Sequence, residues 1–222
     1  MLRRPQHSLA VLVALASLAG SVAALADERF PTVPGTYWVY RGTTQWTVPG
    51  TASVEKQELT WRVEVVEQRR GDGFEVAILR GFPSELAAYE PGKQPGEFAL
   101  VILDGAAYYL VEGAAAVAAL RGAAGAPVVG DAELLFRWPL RRGDRFGDPD
   151  SVARPDGMYC RVVDEASRSR NSGIERYRLT QRTLPDREVM DFVPGLGVVG
   201  FAYTHHGTVS STDLRVVEFG RP

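Results

Sequence analysis

The amino-acid sequence predicts an all-β protein: one antiparallel sheet, curled into a barrel, half-barrel or sandwich, that follows an N-terminal signal peptide. Apolar and polar residues alternate with a period of two in segment after segment, as they do in strands with one buried face. Gly, Pro and Asp separate these segments at short intervals, and helical periodicity is nearly absent. We therefore expect about nine or ten strands with at most one or two short helices, and a sheet of that size curls.

The first residues have the three-part order of a secretory signal peptide. Arg3-Arg4 forms a basic start, an uncharged apolar run covers 9–19, and Ala24-Leu25-Ala26 supplies the small residues of a cleavage site. The apolar run is too short to cross a bilayer core of about 30 Å. We expect cleavage after Ala26, which divides the chain into a signal peptide over 1–26 and a single β domain over 27–222.

The composition restricts where and with what the protein works. The 222 residues carry a formal net charge of −2, which lacks the basic footprint of a nucleic-acid-binding protein. The single cysteine, Cys160, cannot form a disulfide within the chain, so core burial and strand pairing must hold the fold. No run after residue 26 is long enough for a transmembrane helix. We expect an exported protein, periplasmic or extracellular.

The strands and turns follow from local patterns. The clearest strand alternates Leu59, Trp61, Val63 and Val65 with polar residues. Strands are predicted over 36–47, 57–68, 74–82, 98–103, 106–111, 133–138, 158–164, 174–183, 197–206 and 209–219. Loops are predicted over 83–96 and 139–155, and the Ala- and Gly-rich stretch 113–126 allows one short helix over 114–120.

Two hairpins stand out. Asp104-Gly105 predicts a two-residue type I′ turn, and both faces of the strands beside it are apolar, which places them in the interior or against a cavity. A type II′ turn at Gly207-Thr208 would pair Phe201 with Leu214, Tyr203 with Thr212 and His205 with Ser210. A turn at His206-Gly207 would instead pair Phe201 with Thr212, and the pattern prefers the first register only modestly.

A set of C-terminal motifs resembles a known group of proteins. The motifs are Arg182-Thr183-Leu184-Pro185-Asp186, then Asp191-Phe192-Val193-Pro194-Gly195-Leu196-Gly197, then Tyr203-Thr204-His205-His206-Gly207-Thr208-Val209. Together with Tyr37-Trp38-Val39-Tyr40, Trp138-Pro139-Leu140 and Gly143-Asp144, they resemble the TapB-like group of uncharacterised secreted bacterial β-domains. The resemblance implies a curved antiparallel sheet, loosely like the half-barrels of periplasmic lipoprotein carriers. It implies no activity and no catalytic residues.

His205 and His206 are the only histidines after residue 26, and they are the candidates for metal or acid–base chemistry. Neighbours on a strand point to opposite faces, so one ion cannot readily bind both, and a zinc site needs further ligands. Asp186, Glu188 and Asp191 are the nearest acids. We expect no metal site and no cofactor.

A hydrolase centred on His205 is the catalytic alternative. His205 would use Ser210 as its nucleophile, or an acid such as Asp186 or Asp191 as its partner, but no nucleophile elbow surrounds the serine. Cys160 is expected within a strand as a small buried hydrophobe. We therefore name no catalytic residue, and the sequence leans away from an enzyme.

Aromatic residues on the strands suggest a binding module. They could line a concave apolar pocket, although an ordinary core explains them as well. The ligand-binding candidates are Trp38, Tyr40, Trp61, Tyr109, Tyr203 and His205. The sequence favours a non-catalytic module for an apolar small molecule or a lipid, with an envelope interaction or scaffold protein as the alternative.

Overall fold

A computed structural model of the protein describes residues 29–87, 89–123, 125–130, 132–206 and 210–222, so the expected signal peptide lies outside the described residues. The predicted all-β class is confirmed. The strands are Tyr37–Thr47 (β1), Val54–Gly71 (β2), Phe74–Arg80 (β3), Glu97–Leu103 (β4), Ala107–Glu112 (β5), Glu133–Arg137 (β6), Arg145–Phe146 (β7), Arg161–Arg168 (β8), Glu175–Arg182 (β9), Asp186–Val193 (β10), Gly197–His205 (β11) and Ser210–Gly220 (β12).

All twelve strands belong to one antiparallel sheet that curls into a nearly closed barrel. Their order is β6-β5-β4-β3-β2-β1-β12-β11-β10-β9-β8-β7, and strand β1 pairs with β12 in the middle of the sheet. The two edge strands, β6 and β7, come into contact without being neighbours in the hydrogen-bonded order. We call this junction of the two edges the seam.

The sheet has two more strands than the sequence predicted. Strand β7 has only two residues and lies inside the loop expected over 139–155. Strand β10 carries the charged residues Asp186, Arg187, Glu188 and Asp191, which hide its alternation. Both strands form because a neighbouring strand supplies hydrogen-bond partners, which is a tertiary effect that local propensity does not carry.

The two predicted hairpins are present with their expected neighbours. The pairs Phe201–Leu214, Tyr203–Thr212 and His205–Ser210 confirm the first register, although the turn itself lies outside the described residues. Asp104 and Gly105 both have positive φ, as a type I′ turn requires, and the Ala106 amide donates to the carbonyl of Leu103. The ladder resumes at the pair Leu103–Ala107, so the loop is one residue longer than predicted.

Both faces of the β4–β5 hairpin are buried, as their apolar character predicted. The predicted short helix is present as Ala114–Gly122 (α1), and it covers the outer face through Val117 and Leu120. The second helix, Pro149–Ala153 (α2), is N-capped by Asp148, whose carboxylate accepts from the Ser151 amide at 2.9 Å. Among the described residues, no helix is long and apolar enough to cross a membrane.

The interior of the barrel is filled by its own side chains. Near the start of β1, the Phe30 ring packs against Trp38 and Phe192, with ring centroids 5.7 and 6.5 Å away. At the other end, a 3₁₀ helix over Pro83–Leu86 lies against the sheet, and its buried Leu86 accepts a hydrogen bond from the Thr212 hydroxyl at 2.7 Å. Because both ends are occupied, the barrel axis is a packed core.

Candidate functional site

A row of polar side chains crosses the barrel near the end that the 3₁₀ helix covers. Cross-strand pairing links its members in order: Arg161 with Gln181, Gln181 with Glu188, and Glu188 with Tyr203. The same row continues through Thr212 to Thr44, whose hydroxyl oxygens are 3.1 Å apart. Side chains in such a row share one face of the sheet, so the pleat brings these groups together above the apolar core.

Arg161 is the centre of this row. Its side chain is only 2% exposed, and its Nη1 donates to Glu188 at 3.0 Å. Its Nη2 donates to Gln181 at 2.9 Å and to the carboxylate of Glu133 on β6. We call these four residues the Arg161 cluster. Since Glu133 belongs to one edge of the sheet and Arg161 to the strand next to the other edge, the cluster joins the barrel across the seam.

Acidic side chains outnumber basic ones around Arg161. Burial raises the pKa of Glu188, and the guanidinium of Arg161 opposes that rise. Burial also raises the pKa of Glu112, at the end of β5, and the nearby charge of Glu133 raises it further. Glu133 and Glu188 therefore share the Arg161 guanidinium, whereas Glu112 has no bond to it and is influenced by Lys93 only through the charge of that lysine.

Sequence reasoning missed the role of Arg161, but one signal was present. Arg161 is two residues before Val163, which is fully buried, so the period of two places both on the inner face. An arginine at an inward strand position needs buried partners, since an unpaired interior charge is costly. The acids that pair with Arg161 are determined by how the sheet curls, and local sequence patterns do not specify that curvature.

A second polar cluster surrounds Asp186. Asp186 is one of the two acids that the hydrolase alternative offered as a partner for His205. The Asp186 Oδ1 atom lies 2.8 Å from His205 Nδ1 and accepts from the Tyr203 hydroxyl at 2.6 Å, while Thr183 Oγ1 donates to Oδ2 at 3.1 Å. These contacts define the Asp186 cluster. The hydrogen bond from Tyr203 above all, and those from His205 and Thr183, hold the pKa of Asp186 below its usual range.

The Asp186 cluster can orient an imidazole, but the described residues do not complete a catalytic set. An acid on Nδ1 is how hydrolases orient a general base. Ser210 is the cross-strand partner of His205, yet no hydrogen bond joins their side chains. Asp191 instead accepts from Arg178 Nε at 3.0 Å. Within the described ranges, no group of three or more His, Cys, Asp or Glu side chains is placed to hold a metal ion.

An apolar groove lies beside the Arg161 cluster. The groove has a volume of about 760 Å³ and lies between α1, residues 126–130 with Ala132, and the end of β5. Its apolar lining comes from small and branched side chains: Leu110, Val111, Ala116, Ala119, Leu120, Ala123, Ala126, Val128, Val129 and Ala132. Among the described residues of its lining, Glu112 and Glu133 are the charged ones. We call this cavity the α1 groove.

A second cavity, the seam cleft, adjoins the groove. It has a volume of about 590 Å³, and its lining includes Tyr109, Arg137, Tyr159, Arg161 and Gln181. The groove and the cleft share Gly130, Ala132 and Glu133. Glu133 therefore contributes to both cavities and to the Arg161 cluster.

The structure separates the six aromatic and histidine candidates into two sets. Trp38, Tyr40 and Trp61 are buried, and their polar atoms donate to the backbone carbonyls of Leu196, Val198 and Gly81 at 2.5, 2.5 and 2.6 Å. The other three lie nearer to solvent. Tyr109 lines the seam cleft and accepts from Arg137 at 3.3 Å, and Tyr203 with His205 belongs to the Asp186 cluster.

Cys160 is buried as predicted, but it lies just before β8 and not within a strand. Its thiol is 1% exposed, and the Sγ atom lies 3.6 Å from the Gly157 carbonyl oxygen. Burial raises the pKa of this thiol despite the nearby charge of Arg145. Reactivity requires a thiolate, so this environment suppresses it.

Comparisons with known proteins find structures of low similarity and no family. No family model and no curated protein matches the chain. A solved structure assigned as a lipoprotein from Parabacteroides distasonis is 12% identical, with a TM-score of 0.41, over 87% of this chain and 98% of that one. An exported protein with YmcC-like fold from Bacteroides fragilis is 12% identical, with a TM-score of 0.43, over 87% and 99%.

A third similar structure is that of MucB, at 16% identity and a TM-score of 0.27, over 93% of this chain and 58% of that one. At these values the likenesses assign neither a family nor an activity. The resemblance to the TapB-like group stays a prediction.

Proposed function

We propose that this protein is an exported, non-catalytic binding module that takes an apolar small molecule or a lipid chain in the α1 groove. The observation that carries the proposal is the groove itself. Its volume of about 760 Å³ falls within the range of small-molecule pockets, and the described residues that line it are uncharged except for Glu112 and Glu133. Export is proposed from the basic, apolar and small-residue order of residues 1–26.

The packed barrel interior favours the groove over the barrel axis as the binding site. Phe82 and Leu86 are buried at one end of the barrel, and Phe30 is buried at the other. A ligand would reach Trp38, Tyr40 or Trp61 only by displacing such side chains. Tyr109 lines the cleft next to the groove. Of the six ligand-binding candidates, it is therefore the one that a ligand in the groove would contact most readily.

The test uses two neighbouring alanines on α1. Ala119 lines the groove and Ala118 does not, while both are exposed on the same helix. Ala119→Asp places a charge in the groove, and Ala118→Asp makes the same change outside it. The affinity for a fluorescent apolar dye such as 1-N-phenylnaphthylamine should fall about tenfold or more in A119D, since a carboxylate is costly to desolvate.

The affinity of A118D should stay close to that of the natural sequence. Dye binding that is equal in the two variants would move the site away from the groove. A natural chain that binds no apolar dye and no lipid would refute the binding function and favour the scaffold alternative.

A hydrolase centred on His205 is the second candidate, because Asp186 lies 2.8 Å from the His205 imidazole. Under this alternative, His205→Ala would abolish hydrolysis of a simple ester such as p-nitrophenyl acetate, whereas His206→Ala would not. Equal rates for the natural chain and H205A would refute it.

A further inference from the structure

The polar end of the α1 groove is negatively charged and incompletely neutralised. Leu110 and Glu133 are cross-strand partners, and Glu112 follows Leu110 by two residues on the same strand. The period of two puts Glu112 on the same inner face as Leu110, so the two carboxylates lie near each other in the lining of the groove. Electrostatic repulsion between them is one of the causes that raise the pKa of Glu112.

The cations nearby are occupied elsewhere. Both Nη atoms of Arg161 donate to the other members of the Arg161 cluster, and Glu112 is not among them. Lys93 Nζ donates to the backbone carbonyl of Glu85 at 2.5 Å. The one side-chain hydrogen bond that Glu112 receives from the described residues comes from the Ser84 hydroxyl at 3.4 Å.

From this charge pattern we infer that the ligand of the α1 groove is a cationic amphiphile, a molecule with an apolar body and an ammonium group that lies at Glu112 and Glu133. This inference rests on the proposed function and specifies the chemical class of its ligand. An ammonium group with N–H bonds would donate charge-assisted hydrogen bonds to the two carboxylates there, and a quaternary ammonium would make direct ionic contact with them. An anionic head group would meet two like charges, and the described residues that line the groove offer it no guanidinium.

Glu133 stands where the α1 groove adjoins the seam cleft. Glu133 lines both cavities, so a head group at this carboxylate can extend toward the seam cleft while the apolar body stays along α1. The cleft beyond Glu133 also contains Arg137 and Arg161, whose positive charges keep an ammonium group at the Glu133 side.

The experiment compares head groups on one tail. Binding of dodecyltrimethylammonium, dodecanoate and dodecyl maltoside is measured below their micelle concentrations, by displacement of the apolar dye. The ammonium compound should bind about tenfold more tightly than dodecanoate, with the neutral maltoside between them.

Matched variants test whether the preference for the ammonium head group comes from the carboxylates of the groove. Glu112→Gln should remove most of the ammonium preference, because it takes away one carboxylate and keeps the shape of the side chain. Glu58→Gln, on the exposed part of β2, should leave the preference unchanged. Glu133→Gln is the second groove variant, and its unfolding midpoint is measured as well because Arg161 depends on Glu133.

The outcomes separate the two proposals. If the dye and all three amphiphiles bind with affinities that do not depend on the head group, the groove function stands and the cationic ligand is refuted. If Glu58→Gln reduces the ammonium preference as much as Glu112→Gln does, the preference comes from the overall charge of the protein. This result also refutes the cationic ligand. If neither dye nor amphiphile binds, the groove function itself is refuted.

Discussion

The guanidinium of Arg161 on β8 holds the carboxylate of Glu133 on β6 across the seam where the two edges of the sheet meet. The same guanidinium neutralises Glu188, so one side chain both joins the seam and makes an inward-facing acid tolerable. Arg161→Met should therefore lower the free energy of unfolding by about 3–5 kcal/mol, since it leaves a buried carboxylate without its partner. Urea denaturation followed by tryptophan fluorescence measures the change.

Two further variants check that this loss comes from the buried charge. Adding Glu188→Gln to Arg161→Met should recover part of the stability, because the unpaired carboxylate is then gone. Arg154→Met breaks an exposed ion pair with Asp156 and should change the unfolding midpoint little. Equal losses in R161M and R154M would contradict the special role of Arg161.

Asp186 should make part of the stability depend on pH. Its pKa in the folded protein is lowered, first by the Tyr203 hydrogen bond and then by His205 and Thr183. The folded state therefore favours the carboxylate, so its contribution is present above the unfolded pKa of 3.8 and is lost as pH falls through the folded pKa. Asp186→Asn should lower the unfolding midpoint at pH 7.

The difference in unfolding midpoint between D186N and the natural chain should become smaller as the pH is lowered. Unfolding curves recorded across the acid range measure this change. Asp150→Asn on the exposed helix α2 serves as the control and should alter the curves little at any pH. A gap between D186N and the natural chain that widens toward low pH would show that the linkage has the opposite sign.

Gly42 should not tolerate a side chain. A Cβ atom at this position would lie 1.9 Å from the Asp213 carbonyl oxygen on β12 and 2.9 Å from the Leu214 Cα atom. Gly42→Ala must therefore push apart the β1–β12 pair, which should cost about 1–3 kcal/mol or more of unfolding free energy. Thermal unfolding compares G42A with Arg41→Ala, an exposed neighbour whose midpoint should stay near that of the natural chain.

Cys160 should be unreactive in the folded protein. The thiol is buried, and burial raises its pKa, so little thiolate is exposed at neutral pH. Ellman's reagent should label it slowly in native buffer and stoichiometrically in guanidinium chloride. Rapid labelling without denaturant would place Cys160 among the exposed thiols.

Export should be accompanied by cleavage after Ala26. Expressed in full in a Gram-negative host, the protein should be recovered from the periplasm or the medium with Asp27 as its first residue, as intact-mass measurement can show. Ala26→Arg should leave the longer chain uncleaved, because the site requires small residues. A recovered natural chain that retains residues 1–26 would contradict the predicted signal peptide.

The sequence predicted the sheet well because strand patterns are local. Alternation in β2 and the turn residues at Asp104 and Gly105 depend on neighbours within a few residues. The tail register was preferred only modestly, because a turn at His206-Gly207 would shift the pairing by two residues and leave the same side chains on each face. Strand β10 escaped prediction because its charged residues are neutralised by partners from other strands, such as Arg161 for Glu188 and Arg178 for Asp191.

The sequence by itself determined the all-β class, the two hairpins and the burial of Cys160, since each depends on side-chain period or turn geometry over a short range. Only the tertiary structure decided that the sheet curls until β6 and β7 meet, because this depends on the twist and packing accumulated over twelve strands. The same curling brings Arg161 to Glu133 and creates the α1 groove from α1, β5 and the segment before β6. The site is therefore formed by distant parts of the chain whose proximity no local pattern specifies.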